Sequence, residues 1–436
     1  MIKINSIASN YYLKTRDFIV FFCLVFSFFL VSQLQSSHVV GALALFFIIL
    51  NGKKFHTLLS LINNKYCLPI LLFPLIIMFN GIAFTGFHQT YDFSYFLSYV
   101  SLYSKILCVF FVVAWLYNKD RNIEYYEKML VYIFVGQTII QLVAFLNPTI
   151  RDIIFIFSRA EELYISEWGK RGLGLSGGMG WNLGLTYGLI FIFYTKAFIL
   201  KKISVFSIII GCLLFIGIFF SGRTAYFGVI VSAIYYFFSR NITWTRKTTN
   251  LFRFFALFLF TTILIYAAFF NLINTFIEQN MHVFTWAFEF FFSMEEKGSL
   301  ETVSTNHLLR MWADGIRLMT LQTFFLGDGY FFNPQTGAFY HRIDVGYFRN
   351  IFYWGILGSI FIYVYQLIVL NQMLLKKEQR KKEIVFFLLF YLFVSEMKAI
   401  SAGANHMTMT VCVLYALLYN RTNIQQRSHS QRRVIK

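Results

Sequence analysis

The chain has 436 residues, 58% hydrophobic, 21% aromatic and only 13% charged. Soluble domains run at about 45–50% apolar and about 25% charged, so the composition excludes an ordinary soluble domain and favours one built for lipid. Its 38 basic and 20 acidic residues give a formal charge of +18, which would suggest nucleic acid unless the basic residues are sorted by position.

In chain order, apolar runs able to cross a roughly 30 Å hydrocarbon core are expected near 18–34, 38–51, 67–86, 94–117, 129–147, 181–200, 203–220, 225–239, 251–271, 345–374, 384–399 and 405–420. The first is too long and wrongly flanked for a cleaved signal peptide. Twelve crossings with both termini cytoplasmic put seven basic clusters on one side: 3–16, 53–65, 119–128, 196–202, 240–253, 376–382 and 421–436. They hold 26 of the 38 basic residues. That is positive-inside sorting, so the charge sets orientation and no nucleic-acid partner is expected. Membrane lipid is the expected partner, including anionic headgroups.

The reading is therefore an all-α polytopic membrane protein, with residues 1–420 one integral domain and 421–436 a basic tail expected to be disordered. Two extracytoplasmic segments exceed a turn, about 148–180 and about 272–344. With four prolines, the broken helices of many transporters are not evident. All five cysteines lie in apolar runs, where packing is their expected role.

Charge that recurs near the extracytoplasmic ends marks the candidate chemistry. In the first loop "EWGKRGLGLSGGMGWNLG" sets Lys170 and Arg171 among glycines, which can form an anion-binding concavity before the helix at Trp181. The alternative is a flexible connection. After an apolar helix, "SGRTAYFG" places Arg223 between two apolar runs with no acid nearby in sequence. It either snorkels from a helix end or holds a ligand anion, for which guanidinium is well shaped.

The second loop contains "STNHLLRMWADGIRLMTLQTFFLGDGYF", expected as an amphipathic helix capped at Ser304, Thr305 or Asn306 and stopped by Gly327 and Gly329. His307, Arg310, Asp314 and Arg317 share one face of it. A helix lying in the membrane interface explains the stripe equally well. The loop ends in "GAFYHRIDVGYFRNIFYWGILGSI", with His341, Arg342, Asp344 and Arg349; Arg349 should snorkel or face a cavity. "SEMKAISAGANHMT" adds Glu396, Lys398 and His406, and the i, i+2 spacing of Glu396 and Lys398 implies distant partners. Lys105 is charged well inside the fourth run.

These motifs, in this order, resemble the Wzy-type O-antigen polymerases, with a looser likeness to the O-antigen ligases of the same superfamily. The carriers are "SGRTAYFG", "LLRMWADGIRLMTLQTFFLGDGY" and "DVGYFRNIFYWGILG", spanning about 221–358. Ligases usually carry a histidine motif where this chain has "DVGYF". The resemblance implies a GT-C-like glycosyltransferase in the bacterial inner membrane, with its active site facing the periplasm. It would join undecaprenyl-pyrophosphate-linked repeat units by inverting transfer, needing no nucleotide sugar, cofactor or metal. A polysaccharide chain-length regulator is the implied protein partner.

On that chemistry Arg223, Arg310, Arg171 and Arg317 are candidates to stabilise the leaving pyrophosphate. Asp344, His341 and His307 are candidates for the general base. Arg349, Glu396, Lys398 and His406 are further site candidates. Two alternatives stand beside the polymerase: an O-antigen ligase, and a transporter or flippase for a polar or anionic solute.

Overall fold

Lipid offers no partner for a backbone N–H or C=O, so long apolar runs without proline close their hydrogen bonds within helices. The computed structural model describes residues 2–31, 34–117, 121–158, 174–177, 180–201, 203–240, 242–279, 281, 285, 289–298, 302–371, 379–401 and 405–434.

Helix α1 (Ile2–Phe26) leads into a small antiparallel hairpin, β1 (Phe29–Val31) and β2 (Leu34–Gln35). Helix α2 (Ser36–Ile49) then bends by 115° into α3 (Gly52–Ile62). The Asn51 side chain makes that bend, accepting from the N–H groups of Lys53 and Lys54 as the cap of α3. There follow α4 (Leu68–His88), α5 (Ser94–Leu116), α6 (Ile123–Leu146) and α7 (Pro148–Phe157). Helix α8 (Trp181–Tyr194) continues through a π turn at Thr195–Ile199. Then come α9 (Val205–Ser221), α10 (Ala225–Phe238) and α11 (Trp244–Gln279).

The second large loop carries α12 (Glu289–Lys297), α13 (Val303–Leu318) and α14 (Leu321–Leu326). Helices α15 (Gly346–Asn371), α16 (Gln379–Ser395) and α17 (His406–Val434) complete the chain. Residues 421–434 thus extend the last helix, where the sequence pattern suggested a disordered tail.

Among the described residues, five helices are long and apolar enough to cross a membrane: α4, α5, α6, α8 with its π turn, and α15. The bent pair α2–α3 would make a sixth, and α9, α10 and part of α16 are shorter apolar helices. The chain is an all-α membrane protein. Helix α8 is its axis: 83% of its most apolar stretch is buried inside the protein, against 33–50% for the other four. Those four keep a face for lipid, as exposed Phe79 and Leu97 illustrate.

Glycine brings two of these helices into close contact. A Cβ at Gly228 of α10 would overlap the backbone of Gly188 on α8. Small residues drive such contacts in lipid, because close van der Waals packing replaces the hydrophobic effect. Gly228→Val is therefore expected to push α8 and α10 apart and cost about 2 kcal/mol, in the range of overpacked cores. A melting curve of the purified protein in detergent measures it.

Candidate functional site

Helix α5 begins, and α4, α6 and α16 end, at the end of the bundle that carries both large loops. Here the second loop folds back on the helices. Thr302 caps α13 by accepting from Thr305 N–H. The cap thus falls before the Ser304–Asn306 triplet that the sequence pointed to. The expected single helix is two, because Thr320 caps α14 in the same way and restarts the chain. Gly327, at φ 73°, ends α14.

Gly355 also has positive φ, and its kink in α15 takes the end of α14; Asp328 N–H donates to Phe352 O at 2.5 Å. The apolar side of α13, with Leu308, Met311 and Trp312, packs on Ile343, Val345, Phe348 and Phe352. Trp312 Nε1 donates to Met397 O at 3.0 Å, fastening α13 to the α16–α17 connection.

The docking gathers charge. Arg349, on the first turn of α15, is buried at 8% exposure and neither snorkels nor opens onto solvent. Its Nη1 donates to Asp344 Oδ1 at 3.1 Å. Its guanidinium lies over Phe331 and Phe339, 4.1 and 3.7 Å from the ring centres. The loop segment before Arg349 thus builds an aromatic clamp for it.

Asn350, fully buried, donates through Nδ2 to Glu396 Oε1 at 3.0 Å and accepts from Tyr95 OH at 3.2 Å. Glu396 is 1% exposed and also accepts from Ser401 N–H at 2.6 Å and Ser401 Oγ–H at 2.5 Å. Gly346 N–H donates to Glu396 O at 3.0 Å, and a Cβ at Gly346 would come within 2.6 Å of Glu396 Oε1. Glycine is what lets the start of α15 approach the carboxylate. Glu396 therefore has the distant partner its spacing called for, and it is Asn350.

Arg223 sits in the α9–α10 turn formed by Ser221 and Gly222, as the sequence suggested. Its Nη1 pairs with Glu289 Oε2 on α12, and Glu289 Oε1 accepts from Val303 N–H at 3.0 Å. The acid absent from the local sequence is thus supplied 66 residues later. Arg223 therefore has a carboxylate partner from the second loop, beside the two alternatives of snorkelling and ligand binding.

Electrostatics link these pairs. Partial burial raises the Asp344 carboxyl above its ordinary 3.8, although its side chain is still 40% exposed, against the opposing effect of Arg349, Lys398 and His307. Burial lowers Lys398, with Arg223 adding to the fall and Asp344 opposing it. Asp344 thus interacts with Arg349, Lys398 and His307, and Lys398 in turn with Arg223, which links the start of α15, α13, the α16–α17 connection and the α9–α10 turn.

Other candidates fall elsewhere. Arg317 pairs with Asp314 at 2.8 Å on the exposed face of α13, and Arg310 is exposed on the same helix. His341, at φ 53°, packs on Tyr340 and Phe352, and burial lowers its pKa. His406 turns into the bundle, its Nε2 3.3 Å from Ser98 Oγ. Lys105, 7% exposed, lies on α5 near that histidine, while His38 Nε2 is 3.0 Å from Ser104 Oγ.

Arg171 and Lys170 lie outside the described residues. The described part of that glycine-rich loop packs on the bundle, with Gly177 N–H donating to Phe26 O at 2.8 Å and Trp181 Nε1 to Ile400 O at 3.0 Å.

Sequence reasoning missed Asn350, Glu289 and Asp92, whose Oδ2 accepts from Phe331 and Phe332 N–H at 2.6 and 3.0 Å and shapes the aromatic clamp. Asn350 had a visible signal: it follows Arg349 inside an apolar run. Among the described residues, no three His, Cys, Asp or Glu side chains are grouped to hold a metal. Compared with known proteins, the chain matches no family model, no curated protein and no solved structure.

Proposed function

We propose that the chain is a surface-polysaccharide polymerase of the O-antigen type. It joins undecaprenyl-pyrophosphate-linked repeat units at the periplasmic face of the bacterial inner membrane, through a twelve-span GT-C-like bundle with cytoplasmic termini. The observation that carries the reading is the convergence of Arg223, Asp344, Arg349 and Lys398 at the loop-bearing end of an apolar bundle. Cations held at a membrane boundary suit a substrate that is lipid at one end and pyrophosphate at the other.

In the proposed reaction an acceptor hydroxyl oxygen attacks the anomeric carbon of the donor sugar and the bond from that carbon to the pyrophosphate oxygen breaks. Lipid pyrophosphate leaves, and the configuration inverts. Asp344 takes the hydroxyl proton, which its raised pKa suits. Arg223 and Lys398 meet the charge developing on the leaving group. Arg349 holds Asp344 in place. A chain-length regulator is the proposed protein partner. A ligase would share the donor chemistry and differ in the acceptor.

Glu289 occupies Arg223 before substrate arrives, so an incoming pyrophosphate has to displace it. Both side chains are partly exposed, at 22% and 24%, and such a pair contributes about 1 kcal/mol or less. Glu289→Gln is expected to lower the KM for the lipid-linked donor about threefold, with kcat little changed. Initial rates at varied donor concentration measure this; a raised KM would make Glu289 a positioning residue for Arg223.

Lys105 and His406 inside the bundle favour a second reading, transport of a polar or anionic solute. Purified protein in nanodiscs, given lipid-linked repeat unit alone, separates the readings. Polymerase gives products of increasing length; a ligase without its acceptor, or a transporter, leaves the single unit unchanged.

A further inference from the structure

A second charged site lies at the opposite end of α5. Trp115 stands about 30 Å along the helix from Tyr95 at 1.5 Å per residue, roughly one hydrocarbon thickness. There a cavity of about 950 Å³ is lined by Arg16, Lys53, Lys54 and His56 on its polar side and by Phe47 and Trp115 on its apolar side. No acid is among its described lining residues.

The cations are held close together. Arg16 lies over the Trp115 ring at 5.6 Å and donates to Asp17 Oδ1 at 3.1 Å. Asp17, fully buried behind it, also pairs with Arg121, so one carboxylate answers two guanidiniums. Lys54 Nζ donates to a neutral acceptor, Tyr117 O, at 3.0 Å. Arg421 closes the far side, with its guanidinium 5.3 Å from the Tyr117 ring centre and Nη2 donating to Thr57 O at 3.0 Å.

The apolar side continues outward onto lipid-facing surface. Phe47 stacks on Trp115 with ring centres 5.3 Å apart and planes within 6°. Phe46, Leu50 and Phe55 beside it are 56%, 67% and 43% exposed. The 115° bend lays α3 across the end of the bundle, so Lys53 and Lys54 stand where α2 leaves the apolar layer.

We propose that this cavity binds the phosphate headgroup of an anionic phospholipid, with its acyl chains running along Phe46, Phe47 and Leu50. The phosphate is held by Lys53, Lys54 and Arg16. A free phosphate uses the cations but leaves the apolar wall unexplained, and a zwitterionic headgroup brings its own cation into a positive cavity. The site is remote from the loop-bearing end, and its occupancy is read without any assay of polymerisation.

The test is native mass spectrometry and thermal melting of the purified full chain with dioleoyl phosphatidylglycerol, dioleoyl phosphatidylcholine or inorganic phosphate. Phosphatidylglycerol is expected to bind about tenfold more tightly than phosphatidylcholine, and the double variant K53Q/K54Q to lose that preference. The exposed single change Lys53→Gln should lose part of it without disturbing the fold, and Arg240→Gln, elsewhere on the same end, should keep it. Equal binding of the two lipids, or an unchanged preference in K53Q/K54Q, overturns the proposal. Equal protection by inorganic phosphate overturns the lipid assignment in favour of a free-anion site.

Discussion

Replacing Arg349 by methionine is expected to destabilise the protein by about 2–3 kcal/mol, short of the full cost of breaking a buried ion pair. The discount follows from geometry. Arg349 is 8% exposed, but the side chain of Asp344 is 40% exposed and can recover water when its partner goes. Methionine would fill part of the slot between Phe331 and Phe339 without replacing the charge. Arg349→Lys keeps the charge but loses the planar face that lies on those rings, so about half the loss is expected. Unfolding of both variants in detergent measures the stability. Initial rates on the lipid-linked repeat unit should fall by about a hundredfold or more for Arg349→Met, because Asp344 loses its orientation. A variant with wild-type rates would remove Asp344 and Arg349 from the proposed site.

Glu396→Leu is expected to cost about 3 kcal/mol or more, since it strands donors in a region closed to water. Asn350 Nδ2 and Ser401 N–H point at the carboxylate and would be stranded, whereas Ser401 Oγ–H can turn to Leu392 O at 2.8 Å. Glu396→Gln retains the shape and one acceptor oxygen, and should cost clearly less. The same unfolding measurement compares the two. If Glu396→Leu melts like the wild type, this carboxylate does not fasten α15 to the α16–α17 connection.

The membrane class was legible because lipid imposes one solution on the backbone and long apolar runs advertise it. Arg223 was legible for a related reason: a Ser–Gly turn and a charge between two apolar helices can be seen locally. Its partner was not, because Glu289 arrives from a different loop and no periodicity links the two. The stripe His307, Arg310, Asp314 and Arg317 was correctly seen as one face, but periodicity does not reveal which face docks. Trp312 and Met311 pack on the core, and Arg317 is left to pair with Asp314 at the surface. Arg349 was read as a snorkelling or cavity-facing side chain since the clamp formed by Phe331 and Phe339 depends on Asp92, far earlier in the chain. His406 was placed at the start of the last apolar run, but nothing local showed that its ring would face α5, where Nε2 lies 3.3 Å from Ser98 Oγ.

The most direct test of the central claim is a lipopolysaccharide gel from a strain lacking this gene, complemented with wild type, Arg223→Ala or Arg223→Lys, at matched membrane levels. The account predicts a ladder with wild type and only core bearing a single repeat unit with Arg223→Ala. It predicts little or no ladder with Arg223→Lys, because a point charge does not reproduce the bidentate grip of guanidinium on pyrophosphate. A normal ladder from Arg223→Ala would contradict it, making the Arg223–Glu289 pair a structural tie between the α9–α10 turn and the loop.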